Sequence, residues 1–132
     1  MPELPLVAIV DDDKSIRNAT RDLLNSAGYL TETFDDAESF LGWTSRASAA
    51  CVVADMRMPG RTGLELYRAL VAAGEAIPTV IITAHPEELT QVQAREAGIT
   101  CYLIKPFAPD ELLECVREAL AKSQARSAIP KS

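Results

Sequence analysis

The stretch LVAIVDDDKSIRNATRDLLNSAG, residues 6–28, contains a complete strand–loop–helix unit. It begins with a continuous apolar run, Leu6–Val10, which is typical of a parallel strand covered on both faces. Three consecutive aspartates, residues 11–13, follow this run. Apolar residues then recur at helical spacing until Gly28, a residue type that commonly ends helices. The stretch therefore predicts a buried strand that carries acidic side chains to the start of a helix.

The same alternation recurs along the rest of the chain. Apolar, β-rich runs at residues 30–34, 51–54, 79–82 and 101–104 are separated by segments of helical period, of which residues 36–43 are the least regular. Five strand–helix repeats predict an α/β fold with a doubly wound parallel sheet. Right-handed crossovers restrict the topology, and we expect the flavodoxin-like (βα)5 arrangement with strand order 2-1-3-4-5. The second strand alternates polar and apolar residues, so we expect it at an edge.

Composition limits the class of protein. Hydrophobic residues make up 48% of the 132 and charged residues 24%, which is typical of a single globular domain. No apolar run approaches the roughly 20 residues of a membrane-spanning helix, and residues 1–5 lack the pattern of a secretory signal. The formal net charge of −6 argues against direct nucleic-acid binding, which requires a basic face. We expect a cytoplasmic domain over residues 1–122, with residues 123–132 as a disordered tail or the start of a linker.

The three cysteines, Cys51, Cys101 and Cys115, each lie in an apolar stretch, and none belongs to a CxxC pair. Isolated cysteines of this kind usually behave as small apolar residues. We therefore predict reduced, buried thiols in a reducing compartment.

Polar side chains stand at the carboxyl ends of four predicted strands, where open α/β sheets bind their ligands. Because the ends of parallel strands meet at one edge of the sheet, we expect these side chains to lie close together. They are Asp11, Asp12 and Asp13 after the first strand, Asp55 after the third, Thr83 and Ala84 after the fourth, and Lys105 and Pro106 after the fifth.

These residue types point to phosphoryl chemistry beside a cation. Carboxylates that converge in one pocket repel one another, and a divalent cation removes that repulsion. Mg²⁺ prefers a few carboxylate oxygens together with water and phosphate oxygens, so Asp11, Asp12 and Asp55 are suitable ligands. Lys105 adds a positive charge and Thr83 a hydroxyl donor. Together these groups can stabilise a phosphoryl group in transfer to an aspartate nucleophile.

Four segments carry a resemblance to a known family. They are IVDDDKSIR (9–17), VVADMRMPGRTGLEL (52–66), VIITAHP (80–86) and YLIKPF (102–107). In this order and separation they resemble the receiver domain of response regulators in bacterial two-component signalling, and the resemblance covers about residues 5–122. The segments DMRMPGRTGLEL and IKPF are similar to receivers of the nitrogen-fixation and nitrate-regulator class.

The resemblance implies roles for the acidic residues. Asp55 would be the phosphoacceptor, and Asp12 would be the main ligand of Mg²⁺ or Mn²⁺, with Asp11 assisting. The backbone carbonyl of Arg57 would complete the protein's share of the cation shell. Phosphorylation would make the domain a switch and not an enzyme, with at most self-catalysed phosphoryl transfer and autodephosphorylation.

The resemblance also implies how the signal would leave the site. Lys105 would bind a phosphoryl oxygen, and its peptide bond to Pro106 would be cis. Thr83 would be the switch hydroxyl, beside the small Ala84. Tyr102 would be the aromatic residue that rotates in response. Helix 4, strand 5 and helix 5 would then form the face for an output domain, a downstream protein or a second copy. The phosphoryl donor would be a sensor histidine kinase or a phosphotransfer protein.

Two residues are specific to this chain. Arg57 and His85 stand two positions after Asp55 and Thr83, where side chains would overhang the site. We predict that Arg57 and His85 modulate how fast water reaches the acyl phosphate.

Three alternatives remain at the level of the sequence. Asp11-x-Asp13 resembles the nucleophile motif of aspartate-dependent phosphohydrolases, although Asp13 is also predicted to cap the helix that begins near Lys14. A flavin- or nucleotide-binding domain would need a loop rich in Gly, Ser or Thr where this chain has three aspartates. A receiver fold that serves only as an unphosphorylated scaffold is the third.

Overall fold

The structure is a computed structural model that describes residues 5–85 and 87–128. Five strands alternate with five α-helices, and a short 3₁₀ turn, Arg46–Ser48, precedes the third strand. The elements are β1 Leu6–Val10, α1 Lys14–Ser26, β2 Leu30–Phe34, α2 Ala37–Leu41, β3 Cys51–Asp55, α3 Gly63–Ala72, β4 Thr79–Thr83, α4 Glu88–Ala97, β5 Cys101–Ile104 and α5 Pro109–Ala128.

All strand pairs are parallel, and the order across the sheet is β2-β1-β3-β4-β5. The predicted topology is therefore confirmed, including the edge position of β2. Val10 pairs with both Phe34 and Ala54, while Asp55 pairs with Ile82. This register places the last residues of the central strands side by side at one edge of the sheet.

The core fills both faces of the sheet. On one face, inward residues of the strands pack against α1 and α5, with Leu24 and Val116 fully buried. On the other face, the strands pack against α2, α3 and α4, where Phe40 and Leu70 are fully buried. Two covered faces explain why β1 is continuously apolar and why β3 and β4 have apolar centres, residues 52–54 and 80–82, that are fully covered. In the part of the chain that the structure describes, no helix combines the length and apolarity needed to cross a bilayer.

Helix starts follow the capping residues in the sequence. Asp13 precedes α1, and its carboxylate accepts a hydrogen bond from the N–H of Ile16 at 3.1 Å, which confirms the predicted N-cap. Thr62 caps α3 reciprocally with Glu65, since each side chain accepts a hydrogen bond from the other residue's backbone N–H.

Element boundaries differ from the prediction in β3, β4, α2 and α5. β3 and β4 each extend one residue further, so Asp55 and Thr83 are the last strand residues and not the first loop residues. α2 covers only five residues, because Asp36 is its N-cap and Gly42 its C-cap.

The predicted tail, residues 123–132, also differs from the structure where residues are described. α5 continues past Lys122 to Ala128, so residues 123–128 are helical and not disordered. The segment SQARSA contains no glycine or proline and includes good helix formers, which explains why the helix does not stop. Residues 129–132, the rest of the predicted tail, and residues 1–4 lie outside the described residues. The domain boundary at residue 122 stays a prediction.

Candidate functional site

Three carboxylates meet at the carboxyl edge of the sheet. One carboxylate oxygen each from Asp11, Asp12 and Asp55 lies within 4.8 Å of the other two. Asp11 is buried, Asp12 is exposed, and Asp55 lies between these extremes. The Asp11 carboxylate also accepts a hydrogen bond from the backbone N–H of Asp13 at 2.9 Å. The grouping expected from the strand ends is thus present in the folded chain.

The acid cluster is electrostatically unfavourable as it stands. Burial raises the pKa of Asp11 to about 6, and the negative charge of Asp55 adds to this effect. Burial also raises the pKa of Asp55, although the nearby Lys105 ammonium opposes the rise. Both shifts favour a neutral acid, as expected where several anions share a partly desolvated pocket. A hard divalent cation with oxygen ligands would relieve this repulsion, so the residues present fit such an ion.

Lys105 supplies a positive charge to the cluster. Its ammonium nitrogen lies 3.8 Å from Oδ2 of Asp55, and both side chains are mostly buried. The peptide between Lys105 and Pro106 is cis, which confirms the prediction. The backbone N–H of Lys105 donates to the carbonyl of Thr83 at 2.8 Å and so holds the lysine beside the end of β4.

The two residues that follow the buried Thr83 line the site. Thr83 is fully buried, and its hydroxyl oxygen accepts a hydrogen bond from the backbone N–H of His85 at 3.0 Å. Ala84 and His85 line a cavity of about 370 Å³. The remaining lining residues of this cavity are Asp12, Asp13, Ile16, Asp55, Arg57 and Lys105.

Tyr102 lies on β5, beside β4, and packs against the core on the α4 side of the sheet. Its hydroxyl is buried and has no hydrogen-bond partner among the residues that the structure describes. Burial raises the pKa of the Tyr102 phenol, and the charge of Glu87 adds to the rise. The Thr83 hydroxyl acts in the opposite direction on this pKa, although no hydrogen bond of normal geometry joins the two residues.

Two contacts of the site were not anticipated from the sequence. Arg17 of α1 donates from Nη1 to the backbone carbonyl of Asp11 at 2.8 Å and thereby anchors the β1–α1 loop. Glu87 pairs with Arg57 across the rim, with 3.2 Å between Oε1 and Nη2. Arg17 lies in the segment IVDDDKSIR, but no spacing rule links a side chain to a carbonyl six residues earlier. Glu87 has no sequence signal of its own.

The sequence-predicted site residues thus separate into two groups. Asp11, Asp12, Asp55 and Lys105 come together, whereas Asp13 lines the cavity but uses its carboxylate to cap α1 and is not part of the acid cluster. The Arg57 backbone N–H lies 3.4 Å from Oδ1 of Asp55, so the loop after β3 stays close to the Asp55 carboxylate.

Comparisons with known proteins agree with this architecture. Residues 7–117 match the family model of the response regulator receiver domain. The transcriptional regulatory protein FixJ of Bradyrhizobium diazoefficiens is 36% identical over 118 residues, which are 89% of this chain and 58% of FixJ. The response regulator protein TodT of Pseudomonas putida is 36% identical over 127 residues, which are 96% of this chain and 56% of TodT. The chain spans about half the length of these curated relatives.

Solved structures give the same result. The response regulator StyR has a TM-score of 0.87 at 43% sequence identity, and the match covers 95% of this chain and 63% of that one. FixJ-N, with a TM-score of 0.81 and 30% identity, covers 92% of this chain and 96% of its own. At these TM-scores and sequence identities, this chain has the same fold as both structures.

The doubly wound sheet and its acidic edge together define a CheY-like receiver. The chain belongs to the response regulator receiver domain family. It is the phosphoaccepting domain of a two-component response regulator, and the comparisons do not favour the phosphohydrolase alternative. Receiver domains are in general signal switches, bind Mg²⁺ at an acidic pocket, and partner with histidine kinases and output domains.

Proposed function

We propose that Asp55 is the residue of this receiver that takes the phosphoryl group from the histidine of a sensor kinase or phosphotransfer protein. The observation that carries the proposal is the position of the Asp55 carboxylate at the end of β3. It has the carboxylates of Asp11 and Asp12 within 4.8 Å and the Lys105 ammonium at 3.8 Å. In the transfer, the bond between phosphorus and the imidazole nitrogen breaks while a bond between phosphorus and an Asp55 oxygen forms.

The acid cluster would hold Mg²⁺ or Mn²⁺. Carboxylates of Asp11, Asp12 and Asp55, with the backbone carbonyl of Arg57, would be the protein ligands. The raised pKa values of Asp11 and Asp55 support this, because anions that are costly to ionise together become favourable ligands of a hard cation. When bound, the ion neutralises negative charge that gathers on the transferring phosphoryl group. Lys105 would contribute a fixed charge on the other side of Asp55.

Thr83 and Tyr102 would convert phosphorylation into a change of shape. The Thr83 hydroxyl would turn from its contact with His85 toward a phosphoryl oxygen, and the small Ala84 would leave that path open. The unpaired hydroxyl of Tyr102 supports its role, because a buried donor without a partner is costly and favours another rotamer. Phosphorylation would then shift the population of a surface that already has two arrangements.

Arg57 and His85 would set the lifetime of the acyl phosphate. Both line the 370 Å³ cavity over Asp55, where their side chains restrict the approach of water. Replacement of either by alanine should change the rate of autodephosphorylation, measured as decay of the phosphorylated species by intact mass. An unchanged rate in both variants would refute this part of the proposal.

The receiver would pass its signal to other parts of a longer protein. We propose that the face formed by α4, β5 and α5 docks an output domain, a downstream protein or, after phosphorylation, a second copy. FixJ is described as a transcriptional regulatory protein and is much longer than this chain, which favours a transcriptional output. We further propose that residues 1–122 form the receiver, that it acts in the cytoplasm without contacting nucleic acid itself, and that its only catalysis is its own phosphorylation and dephosphorylation.

Phosphorylation of purified protein with a small-molecule phosphodonor tests the central proposal. Wild type should gain one phosphoryl group by intact mass in the presence of Mg²⁺ and much less in EDTA. Asp55→Asn should gain none. Asp13→Asn is the matched control, because asparagine also caps helices and Asp13 lies outside the acid cluster.

The outcomes separate the alternatives. An adduct that survives in Asp55→Asn and disappears in Asp11→Asn would indicate a nucleophile in the Asp11-x-Asp13 segment. No adduct in wild type would indicate an unphosphorylated scaffold. Either result would overturn the proposal.

A further inference from the structure

An exposed ion pair bridges two loops at the rim of the acidic site. Nη2 of Arg57 lies 3.2 Å from Oε1 of Glu87. Arg57 follows the end of β3 by two residues, and Glu87 immediately precedes α4. The pair therefore ties the loop that covers Asp55 to the first turn of α4.

Glu87 does not bind the backbone N–H groups at the start of its own helix, α4. It occupies the N-cap position of α4, with φ −118° and ψ 129°, yet its side chain accepts no hydrogen bond from that helix. The N-terminal turn of a helix carries unpaired N–H groups and a partial positive charge. By contrast, α1, α2 and α3 are each capped by a side chain, those of Asp13, Asp36 and Thr62.

The pair is easily broken. The side chains of Arg57 and Glu87 are 59% and 63% exposed, so water and salt compete with their attraction. A contact of this kind exchanges partners when a stronger anion comes within reach of the guanidinium.

A phosphoryl group on Asp55 would be such an anion. It carries a charge of about −1.5 to −2 and three acceptor oxygens, which suit the planar fork of an arginine. The Arg57 backbone N–H already lies 3.4 Å from Oδ1 of Asp55, and Arg57 lines the cavity that the phosphoryl group would enter. Lys105 lies 3.8 Å from the other carboxylate oxygen, Oδ2, so Arg57 would approach from the opposite side.

Glu87 is also electrostatically coupled to the aromatic residue of β5. Its charge contributes, after burial, to the raised pKa of the Tyr102 phenol. A change in the position of Glu87 would therefore alter the electrostatic environment of the Tyr102 phenol as well as the start of α4.

We propose that the Arg57–Glu87 ion pair is a phosphorylation-sensitive link between the acceptor loop and α4. In the unphosphorylated protein the pair holds Glu87, and with it the start of α4, to the loop that follows β3. When Asp55 is phosphorylated, the Arg57 guanidinium moves to the phosphoryl oxygens, and Glu87 is released with the first turn of α4. The inference rests on the proposed function of Asp55, and it adds a route to α4 that does not pass through Thr83.

Hydrogen exchange of the α4 backbone, measured with and without the phosphodonor and Mg²⁺, tests the link. In wild type, phosphorylation should raise exchange in the first turn of α4 by about two- to fivefold, the range expected for loss of a surface ion pair. Glu87→Gln removes the charge at nearly constant shape, so it should abolish most of this change. Glu88→Gln is the matched control, because Glu88 stands next to it in α4 and makes no ion pair within the described residues; it should behave as wild type.

Intact mass of the same samples distinguishes failure of the Arg57–Glu87 link from failure of phosphorylation itself. If Asp55 is fully phosphorylated and Glu87→Gln responds like wild type, the link is wrong while the acceptor assignment stands. If wild type takes no phosphoryl group at Asp55, both the proposed function and the link fail. A wild-type change that is lost in Glu87→Gln and in Arg57→Gln, but kept in Glu88→Gln, supports the link.

Discussion

Asp11 is only 4% exposed, although two other carboxylates lie beside it. Its backbone carbonyl is held by Arg17 and its carboxylate by the N–H of Asp13. These contacts fix the position of the side chain, but they do not compensate fully for its burial, and the pKa of Asp11 rises to about 6. At the scale of single residues, the protein therefore keeps an acid in a place that is unfavourable for its charged form.

The stability of the metal-free protein should reveal this cost. The pKa of Asp11 is about 6 in the folded protein against an ordinary value of 3.8, so folding favours the protonated form. The contribution of Asp11 to stability is greatest below about pH 4, falls as pH rises toward 6, and is lost above that. The unfolding free energy of Asp11→Asn minus that of wild type should therefore increase by about 2 kcal/mol between pH 4 and pH 7.5.

Denaturant unfolding in EDTA at several pH values measures this difference. The control is Asp22→Asn on the exposed face of α1, where the side chain is 70% exposed and the difference from wild type should stay small. A gap between Asp11→Asn and wild type that does not widen with pH would contradict the pKa assignment.

Arg17 should matter to the cation although it is not a proposed ligand. Arg17→Ala removes the hydrogen bond to the Asp11 carbonyl and loosens the β1–α1 loop. Groups that orient ligands typically change metal affinity on the order of tenfold or more, so Mg²⁺ binding should weaken by about tenfold. Titration calorimetry measures this, with Arg21→Ala on the same helix as a control that should bind like wild type.

Most site residues could be predicted because the carboxyl ends of parallel strands share one edge. That rule needs only the strand boundaries, and errors of one residue at Asp55 and Thr83 did not affect it. The Arg57–Glu87 and Arg17–Asp11 contacts could not be predicted, because loop paths and rotamers of long side chains leave no periodic signal.

At the scale of elements, α3 begins unusually close to the strand that carries Asp55. A Cβ on Gly63 would lie 2.7 Å from the Asp55 carbonyl oxygen and 3.2 Å from its carbonyl carbon. The N–H of Gly63 also donates to the carbonyl of Met56 at 3.1 Å. Glycine is therefore required here because helix and strand backbones touch, and the contact fixes the loop between them.

Gly63→Ala should lower stability despite alanine's better helix propensity. The added methyl group must push apart two backbones, which costs about 1–3 kcal/mol in similar overpacked sites. Displacement of Asp55 should also slow phosphorylation of the receiver. Gly42→Ala is the comparison, because its nearest contact is looser at 3.3 Å and its backbone is already right-handed.

Thermal unfolding and the rate of phosphorylation, measured on the same samples, check both parts. Equal or higher stability in Gly63→Ala would mean that the two backbones separate without loss.

The elements themselves were predicted better than their ends. Apolar runs and helical stripes located every strand and every α-helix, while α2 proved shorter and α5 longer than expected. Helix ends depend on the capping residues, and Asp36, the first residue of the predicted interval 36–43, and Gly42, its last but one, are the caps of α2 and not part of the helix. For α5, the polar composition of residues 123–128 predicts disorder or a linker, but these residue types are also compatible with a helix, and the helix continues through them.

At the scale of the whole molecule, three of the five large exposed apolar side chains among the described residues belong to α4 and β5, while the other two, Leu30 and Val71, lie on β2 and α3. Leu89 and Val92 of α4 are 69% and 43% exposed, and Ile104 of β5 is 41% exposed. They lie on the face that we propose for docking. Large apolar residues on the surface of α4 and β5 favour a partner that covers them when the switch is set.

Association of the phosphorylated protein should depend on this face. Leu89→Ser with Val92→Ser should weaken any phosphorylation-dependent dimer by about tenfold, since burial of two large apolar side chains is lost. Sedimentation velocity with and without phosphodonor measures this association, and intact mass confirms that the variant is still phosphorylated. Leu30→Ser is the control, because Leu30 is 49% exposed on β2 at the opposite edge of the sheet.

A wild-type receiver that stays monomeric when fully phosphorylated would exclude the homodimer. Dimers of unchanged affinity in the double variant would move the interface to another face.

The three thiols make the receiver convenient to label. Cys51, Cys101 and Cys115 are all free, they lie in or against the core on the α1–α5 side of the sheet, and burial raises the pKa of each thiol. Thiolates are the species that alkylating probes capture, so the native cysteines should react slowly near neutral pH. A cysteine introduced on exposed α4 would then take a maleimide dye or spin label selectively. Motions of that helix could be followed in the otherwise unaltered chain, without first removing the native sulfurs.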